Sequence, residues 1–338
     1  MMADKVTSFD VARQAGVSQS AVSRVFTPGA SASAATRSKV IKAAEELGYR
    51  PNTLARAMIT GKSRVIGVVV AYLENQFYPM ALEHLDHALK ARGYHIMLFM
   101  AKNDDSVGQI VEELMSYQVE GIITASVAMS NDIAKRCHDA GIPVVLFNRG
   151  QDTGNLAQVT SDNVKGGRTV ANFLFAGGHR KIAHISGWLE SSTGLDRMRG
   201  FVDGLAEHGI APVAVEDGRY SQKIASEITR SLCDSPDRPD AIFVGNDHMA
   251  FAVMDTLRFE LGLSVPDDVS VIGYDDVPIA AWPAYDLTTI RQPINQMVNA
   301  TVDVLLARIE NDAASERIQI PGPLKIRGSA KKPKGFTR

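Results

Sequence analysis

Between residues 65 and 274 the chain carries seven short runs of consecutive apolar, largely β-branched residues, at 65–71, 94–100, 121–125, 144–148, 182–186, 241–245 and 269–274. A strand with one wet face alternates polar and apolar residues, so continuous runs of this length predict strands buried on both faces. Amphipathic helical stripes lie between them, at 81–92, 164–176, 199–208 and 249–261. Strand, helix and strand in alternation predict parallel sheets with helices on both sides. There are too many strands for one small sheet, and the expected body is two open parallel-sheet subdomains facing each other across a cleft. In such folds ligands sit beyond the carboxyl ends of the strands. Polar pairs stand there: Asn148 and Arg149, Asp162 and Asn163, Asn246 and Asp247, Asp275 and Asp276. Any one pair could cap a helix, but four pairs after separate elements point to a polar ligand.

The first fifty residues follow a different rule. Thr7 and Asp10 form a capping box, Val11, Ala12 and Ala15 share a face, and Gly16 supplies a left-handed stop. Ser18 then caps a second helix in which Ala21, Val22 and Val25 point inward, leaving Gln19, Ser20, Ser23 and Arg24 outside. Short polar groups with one Arg are the set that reads base edges in a major groove. The pattern predicts a helix-turn-helix; its plainer alternative is a helical hairpin with a solvated face. Charge favours the first reading. Residues 1–64 hold ten Lys and Arg against four Asp and Glu, net +6, in a chain whose net charge is −2. A basic head on an acidic body is what phosphate contact at one end requires. A third helix is expected from Ser33 to Leu47, burying Val40, Ile41, Ala44 and Leu47, with Gly48 as its stop. The linker that follows, bounded by Pro51 and Gly61, has room for a helix shorter than the roughly twelve residues that persist alone in water, so it should order only when propped.

Several function classes are excluded by what the sequence lacks. No apolar run approaches the roughly 18 residues of a membrane span and the N-terminus has no export signal, so a cytoplasmic protein with no membrane partner is expected. Cys137 and Cys233 are far apart and read as inert core thiols; the basic tail from Lys331 to Arg338 should fray. Gly61-Lys62-Ser63 imitates a phosphate loop, but Arg56 stands where its first glycine belongs. Glu83, His84 and His87 fit a solvated helix face better than a metal site, and no catalytic or dinucleotide motif is present. No enzyme, metal or cofactor is expected.

In order and spacing, T-x-x-D-V-A at 7–12, G-V-S-Q-S-A-V-S-R-V-F at 16–26, T-R-x-x-V at 36–40, L-G-Y-R-P-N at 47–52, V-G-N-D-H-M-A at 244–250, S-V-I-G-Y-D-D at 270–276 and L-T-T-I-R-Q-P at 287–293 resemble the lactose and purine repressor family of bacterial transcription regulators. The resemblance covers nearly the whole chain. It implies a helix-turn-helix domain at 1–50, a hinge helix at 51–63, and a dimerising body at 64–338 of the periplasmic-binding-protein type. Within that body one subdomain would span 64–162 and 293–325 and the other 163–292. It further implies a homodimer on palindromic double-stranded operator DNA, controlled by a small-molecule effector, a sugar or sugar acid. On DNA it places Gln19, Ser20 and Arg24 at bases and Thr7, Ser18 and Ser23 nearer phosphates, while the hinge brings Asn52, Arg56 and Met58, the last as an apolar wedge in the minor groove. Around the effector it places Phe77, Tyr78, Asn148, Arg149, Asp162, Arg197, Tyr220, Asn246, Asp275 and Gln292. Arg149 departs from the bulky aromatic of the purine branch: with Arg197 it would suit a carboxylate or phosphate, or it pairs with Asp162. Two other classes share such a body. A transporter's solute-binding component would need an export signal, and a sugar-active enzyme would need a paired acid and base.

Overall fold

The computed structural model describes residues 6–27, 30–50, 62–101, 107–127, 129–151, 156–311 and 314–334. The hinge expectations at Asn52, Arg56 and Met58 lie outside the described residues. The chain divides into two units, Met1–Ser63 and Arg64–Arg338.

The head is three helices, α1 (Ser8–Ala15), α2 (Gln19–Phe26) and α3 (Ala34–Leu47). Both the backbone N–H and the hydroxyl of Thr7 donate to Asp10 Oδ2, at 3.0 and 2.7 Å, while Ser18 and Ser33 accept from the third amide of α2 and α3. Gly16 and Gly48 take φ +65°, which only glycine adopts cheaply. The small core joins Val11, Val22, Val25, Val40, Ala43 and Ala44, flanked by Phe26 against Tyr49 at 5.9 Å. Two expectations change. Ile41 is 39 % exposed and Ala43 is buried in its place, because positions 40, 43, 44 and 47 share one helical face and 41 sits beside it. Ala21 is only half-buried.

The body opens with β1 (Val65–Val70), α4 (Phe77–Lys90), β2 (His95–Met100), α5 (Val107–Ser116), β3 (Gly121–Ala125), α6 (Asn131–Asp139), β4 (Val144–Phe147) and β5 (Ala157–Ser161). It then crosses into α7 (Asn163–Ala176), β6 (Ile182–Ser186), α8 (Ser192–Ala206), β7 (Ala214–Asp217), α9 (Gln222–Asp234), β8 (Ala241–Val244), α10 (Asp247–Asp255), β9 (Ser270–Asp275) and β10 (Thr288–Arg291). It returns through α11 (Ile294–Asn311) and β11 (Arg317–Ile320) and crosses once more into β12 (Leu324–Lys325). The first sheet runs β11-β5-β4-β3-β1-β2 and the second β12-β10-β9-β8-β6-β7. Every pairing is parallel except β10 with β12, so the second sheet has an antiparallel edge.

That edge corrects the expected boundary. Residues 324–325 belong to the second sheet, not to the first subdomain, and the chain stays bound there: Val271 N donates to Ser329 O at 2.7 Å and Lys331 N to Ser270 Oγ at 3.0 Å. The tail is therefore anchored at Lys331, where fraying was expected to begin. Cys137 is buried and its thiol is pushed up to about 11 by desolvation, but Cys233 is only half-buried. No helix among the described residues is long and apolar enough to cross a membrane.

Between β6 and β8 the sheet interior holds a histidine. His184 is fully buried between Phe201 and Phe243 and shares a 2.9 Å hydrogen bond between Nδ1 and Phe243 O, and burial pushes its pKa down to about 4. The native state thus binds fewer protons than the unfolded chain between that value and the ordinary 6.5. Unfolding free energy should fall as pH drops through this window, by up to about 1.4 kcal/mol per pH unit from this one group. His184→Phe should flatten the slope in urea melts at pH 5 and 7; equal slopes in both proteins would mean the imidazole titrates normally.

Candidate functional site

Six of the non-glycine residues with positive φ stand just past the carboxyl ends of strands: Ser126 after β3, Asn148 after β4, Arg219 and Tyr220 after β7, and Asp275 and Asp276 at the end of β9. Each such residue costs on the order of 1–3 kcal/mol, and strain of this kind persists where surrounding structure holds it for a purpose. Asp275 has φ +126° and is 5 % exposed.

A network fixes Asp275. Gln292 Nε2 donates to its Oδ1 at 2.7 Å, Asn75 Nδ2 to its Oδ2 at 3.2 Å, and the Arg197 guanidinium stands 3.8 Å away. Arg197, itself 2 % exposed, also donates to Asn163 Oδ1 at 2.9 Å and to Gly245 O at 2.7 Å, and lies 3.7 Å from the Tyr274 ring centroid. Burial raises the Asp275 carboxyl above its ordinary range, and Arg197, Gln292 and Asn75 pull it back. Asp247 is raised further, by burial and then by the Asp275 charge, while it accepts from Thr289 Oγ1 at 2.6 Å and Val277 N at 3.0 Å. It shapes the loop that carries Asp275.

Across the cleft Asn148 Nδ2 donates to Tyr78 Oη at 3.1 Å, and Tyr78 meets the Tyr72 ring edge-on at 5.3 Å. The charges of Arg149 and Asp275 both act on Tyr72 and Tyr78, as does Tyr220, so these groups converge from both subdomains. The Tyr220 hydroxyl bonds to that of Thr193 at 2.7 Å. A cavity of about 770 Å³ opens here, between Tyr72, Arg149, Trp188, Tyr220 and His248. A larger hollow of about 860 Å³ lies at the amino end of β4, among Lys135, His138 and Arg308, away from the strained strand ends.

The decisive feature is what these side chains leave unpaired. Asn148 Oδ1, Arg149 Nε, Asn246 Nδ2 and Gln292 Oε1 are buried with no hydrogen-bond partner, and all four belong to the residues the sequence placed around the effector. Buried polar atoms without partners cost about 1–3 kcal/mol each, so four at these strand ends mark a place for a ligand; Arg149 lines the 770 Å³ cavity, and Gln292 lines a second one of about 440 Å³ beside Asp275.

The remaining expected residues divide. Asp162 is half-buried at the start of α7, where Oδ1 accepts from Lys165 N at 3.0 Å, and it makes no ion pair with Arg149. Asn246 Oδ1 likewise caps α10 through Met249 N at 3.0 Å, leaving only Nδ2 for other work. Phe77 packs against Tyr78 and stacks on Phe147 at 6.2 Å; it does not line the 770 Å³ cavity but shares the smaller one of about 440 Å³ with Asp275 and Gln292. Sequence reasoning missed Asn75, Tyr72, Trp188 and Thr193. The available signal was position, since Tyr72 and Trp188 lie two residues past β1 and β6. On α2 of the head, Gln19, Ser20, Ser23 and Arg24 are all exposed, as are Thr7 and Ser18.

Two domain signatures match the chain, bacterial regulatory proteins of the lacI family over residues 9–52 and a periplasmic binding protein-like domain over residues 171–330. The ribose operon repressor of Escherichia coli K12 is 32 % identical over 331 residues, covering 96 % of this chain and 99 % of that protein. The chain belongs to the lacI family of bacterial regulatory proteins. Catabolite control protein A of Priestia megaterium is 30 % identical over 332 residues, again covering 96 % and 99 %. Among solved structures, the lac repressor dimer bound to operator and the anti-inducer ONPF superposes with a TM-score of 0.87 at 28 % identity, covering 96 % of this chain and 99 % of that one. The protein is a ligand-responsive DNA-binding transcriptional regulator and not an enzyme.

Proposed function

We propose that this regulator represses transcription in the cytoplasm, binding a palindromic operator as a homodimer, and that a small polyhydroxylated effector in the body's cleft sets its affinity for DNA. The four unpaired buried atoms carry the effector reading. Asn148 Oδ1 and Gln292 Oε1 are acceptors and Asn246 Nδ2 is a donor, which suits hydroxyls that both give and take hydrogen bonds. Asp275 presents a fixed carboxylate, Tyr72 and Tyr220 offer ring faces, and Arg197 serves mainly as the strut that positions Asp275. Asp162 and Phe77 support the pocket from behind. On the DNA side, Gln19, Ser20 and Arg24 read bases, Thr7, Ser18 and Ser23 meet phosphate, and the linker adds Asn52, Arg56 and Met58. Self-association is supported by apolar residues left in the open, Leu98 and Met100 on the edge strand β2 and Phe259 and Trp282 in the second subdomain, from 44 to 81 % exposed.

Gel shifts across a salt series test the DNA half. The logarithm of affinity should fall with that of salt by roughly 0.9 per neutralised phosphate, and a flat response would sink the proposal. Arg24→Ala should lose about 1–3 kcal/mol of base discrimination per half-site contact while keeping non-specific binding; uniform loss on every sequence would make Arg24 a phosphate contact.

A further inference from the structure

Among the described residues two arginines are buried, Arg149 and Arg197, and they are in opposite states. Arg197 has its two hydrogen bonds, its carboxylate and its aromatic face. The Arg149 guanidinium is 8 % exposed in residue terms yet makes no hydrogen bond or ion pair, and its Nε is sealed from solvent. One face is used: it lies over Trp188, 5.4 Å from the ring centroid. Stacking occupies the face of the guanidinium and leaves its in-plane N–H edges unspent. The backbone goes out of its way to set this up, since Asn148 takes φ +68° and Arg149 N donates back to Phe147 O at 2.8 Å.

The nearby groups do not supply the missing charge. Burial raises the Tyr72 and Tyr78 phenols, so they stay protonated and neutral. Glu74 and Glu190 sit at the exposed rim, Asp196 is half-buried beside a neighbouring cavity that Arg149 also lines but forms no ion pair with Arg149, and Asp275 is held by Arg197, Gln292 and Asn75. A buried cation that makes no ion pair carries a desolvation penalty that a bound anion would relieve.

We infer that the effector is a sugar acid, a polyhydroxylated monocarboxylate whose carboxylate is held edge-on by Arg149 while its hydroxyls meet Asn148, Asn246 and Gln292. This rests on the cleft being the effector site. The guanidinium fork matches a carboxylate with two parallel hydrogen bonds. One buried positive charge balances one negative charge, whereas a phosphate dianion would need a second. The other cations at the cavity, Arg219 and Lys223, are exposed, and Arg219 already lies 4.0 Å from Asp217.

The test uses the full-length protein, with isothermal titration and thermal shift on sodium D-glucuronate, D-galacturonate and D-gluconate. Each is set against its neutral counterpart, D-glucose, D-galactose or sorbitol, and against glucose 6-phosphate. The expected result is that one acid binds at least about tenfold more tightly than its neutral counterpart, an advantage that R149M erases and R149K partly keeps. Without ligand, R149M should melt no lower than wild type, because it removes an unpaired charge. Equal or better binding of the neutral compound, preference for the phosphate ester alone, no binding by any acid, or a lower melting point for ligand-free R149M would each overturn the inference. If a neutral sugar binds wild type and R149M alike and D275N abolishes that binding, the cleft stands as the effector site and only the charge assignment fails. If no compound binds, both fail together.

Discussion

Arg197→Met should destabilise the body by about 3–5 kcal/mol at neutral pH and abolish effector binding. The loss comes less from the arginine's own contacts than from what they leave behind. Asp275 would keep its hydrogen bonds from Gln292 and Asn75 but lose the cation 3.8 Å away, and Asn163 Oδ1 and Gly245 O would each lose a donor. A carboxylate that burial already holds above its ordinary range would then be pushed higher. For such a group the native state binds more protons than the unfolded chain at pH values between the two pKa values, so stability falls as pH rises through that window. The deficit of the variant should therefore be larger at pH 7 than at lower pH, shrinking as the medium becomes acid enough for Asp275 to take up a proton. Asp275→Asn in the same chain should recover part of the loss at pH 7, because it removes the unpaired charge without changing the side chain's shape. Urea melts of wild type, both single variants and the double variant at neutral and acid pH measure this. A pH-independent deficit, or losses that simply add, would mean that Arg197 and Asp275 are not coupled.

The parts of this molecule that were legible in the sequence are those whose physics is local. The seven apolar runs correspond to β1, β2, β3, β4, β6, β8 and β9; six of these are buried on both faces, as a continuous apolar run requires, but β2 is an edge strand whose apolar side chains stay half-buried or exposed, against the expectation. The missed strands are those where burial is partial or polar groups are carried inside. β5 reads Ala-Gln-Val-Thr-Ser yet is fully buried, β7, β11 and β12 are sheet edges, and β10, Thr-Thr-Ile-Arg, lies beside one. The crossing at 321–323 was invisible for another reason: a two-residue antiparallel edge strand has no periodicity, and β12 is defined by what β10 needs beside it. At the site, strand-end polar residues could be counted, but which atoms were already spent could not. Asp162 and Asn246 are alike on paper, and both cap helices, yet Asn246 keeps a buried donor free. Arg149 and Arg197 could likewise not be told apart, because pairing is decided by partners such as Asn163 and Gly245 that are distant in the chain.

The cleft is also latched by bonds that cross between its subdomains. Asn75 reaches Asp275, Gly150 N donates to Ser192 Oγ at 3.0 Å, and the hydroxyls of Ser161 and Tyr274 meet at 3.0 Å. Three of these six residues directly precede or follow residues with proposed effector roles. A ligand that completes the hydrogen bonding of Asn148, Arg149 and Gln292 would act on both sides of the same latch, which is the differential contact that a coupled site requires.

The second large effect is expected far from any charge, at the crossing of α7 and α8. Gly200 lies three residues after Arg197 on α8, and a Cβ built on it would stand 2.0 Å from Val164 O and 2.7 Å from Val164 C. One turn away the same is true of Gly167, whose Cβ would fall 2.2 Å from Arg197 O. Both obstacles are backbone, so no rotamer change relieves them and the two helices would have to separate. Gly200→Ala gains up to about 1 kcal/mol of helix propensity. Against that stands overpacking, typically about 1–3 kcal/mol and more where only backbone can yield. The net effect should be destabilising, with Gly200→Val failing to fold. Gly108 is the control, since it too lies within a helix, but its Cβ would meet only the Ile133 side chain, Cδ1 at 3.3 Å and Cγ1 at 3.8 Å, the end of a flexible side chain. Gly108→Ala should be neutral or stabilising. Because α8 carries Arg197 on the same face, any Gly200→Ala protein that folds should also bind effector more weakly, as the donors to Asn163 and Gly245 move with the helix. Thermal melts and titrations of the three variants check both statements. Equal stability of Gly200→Ala and Gly108→Ala would mean that the helix crossing yields without cost.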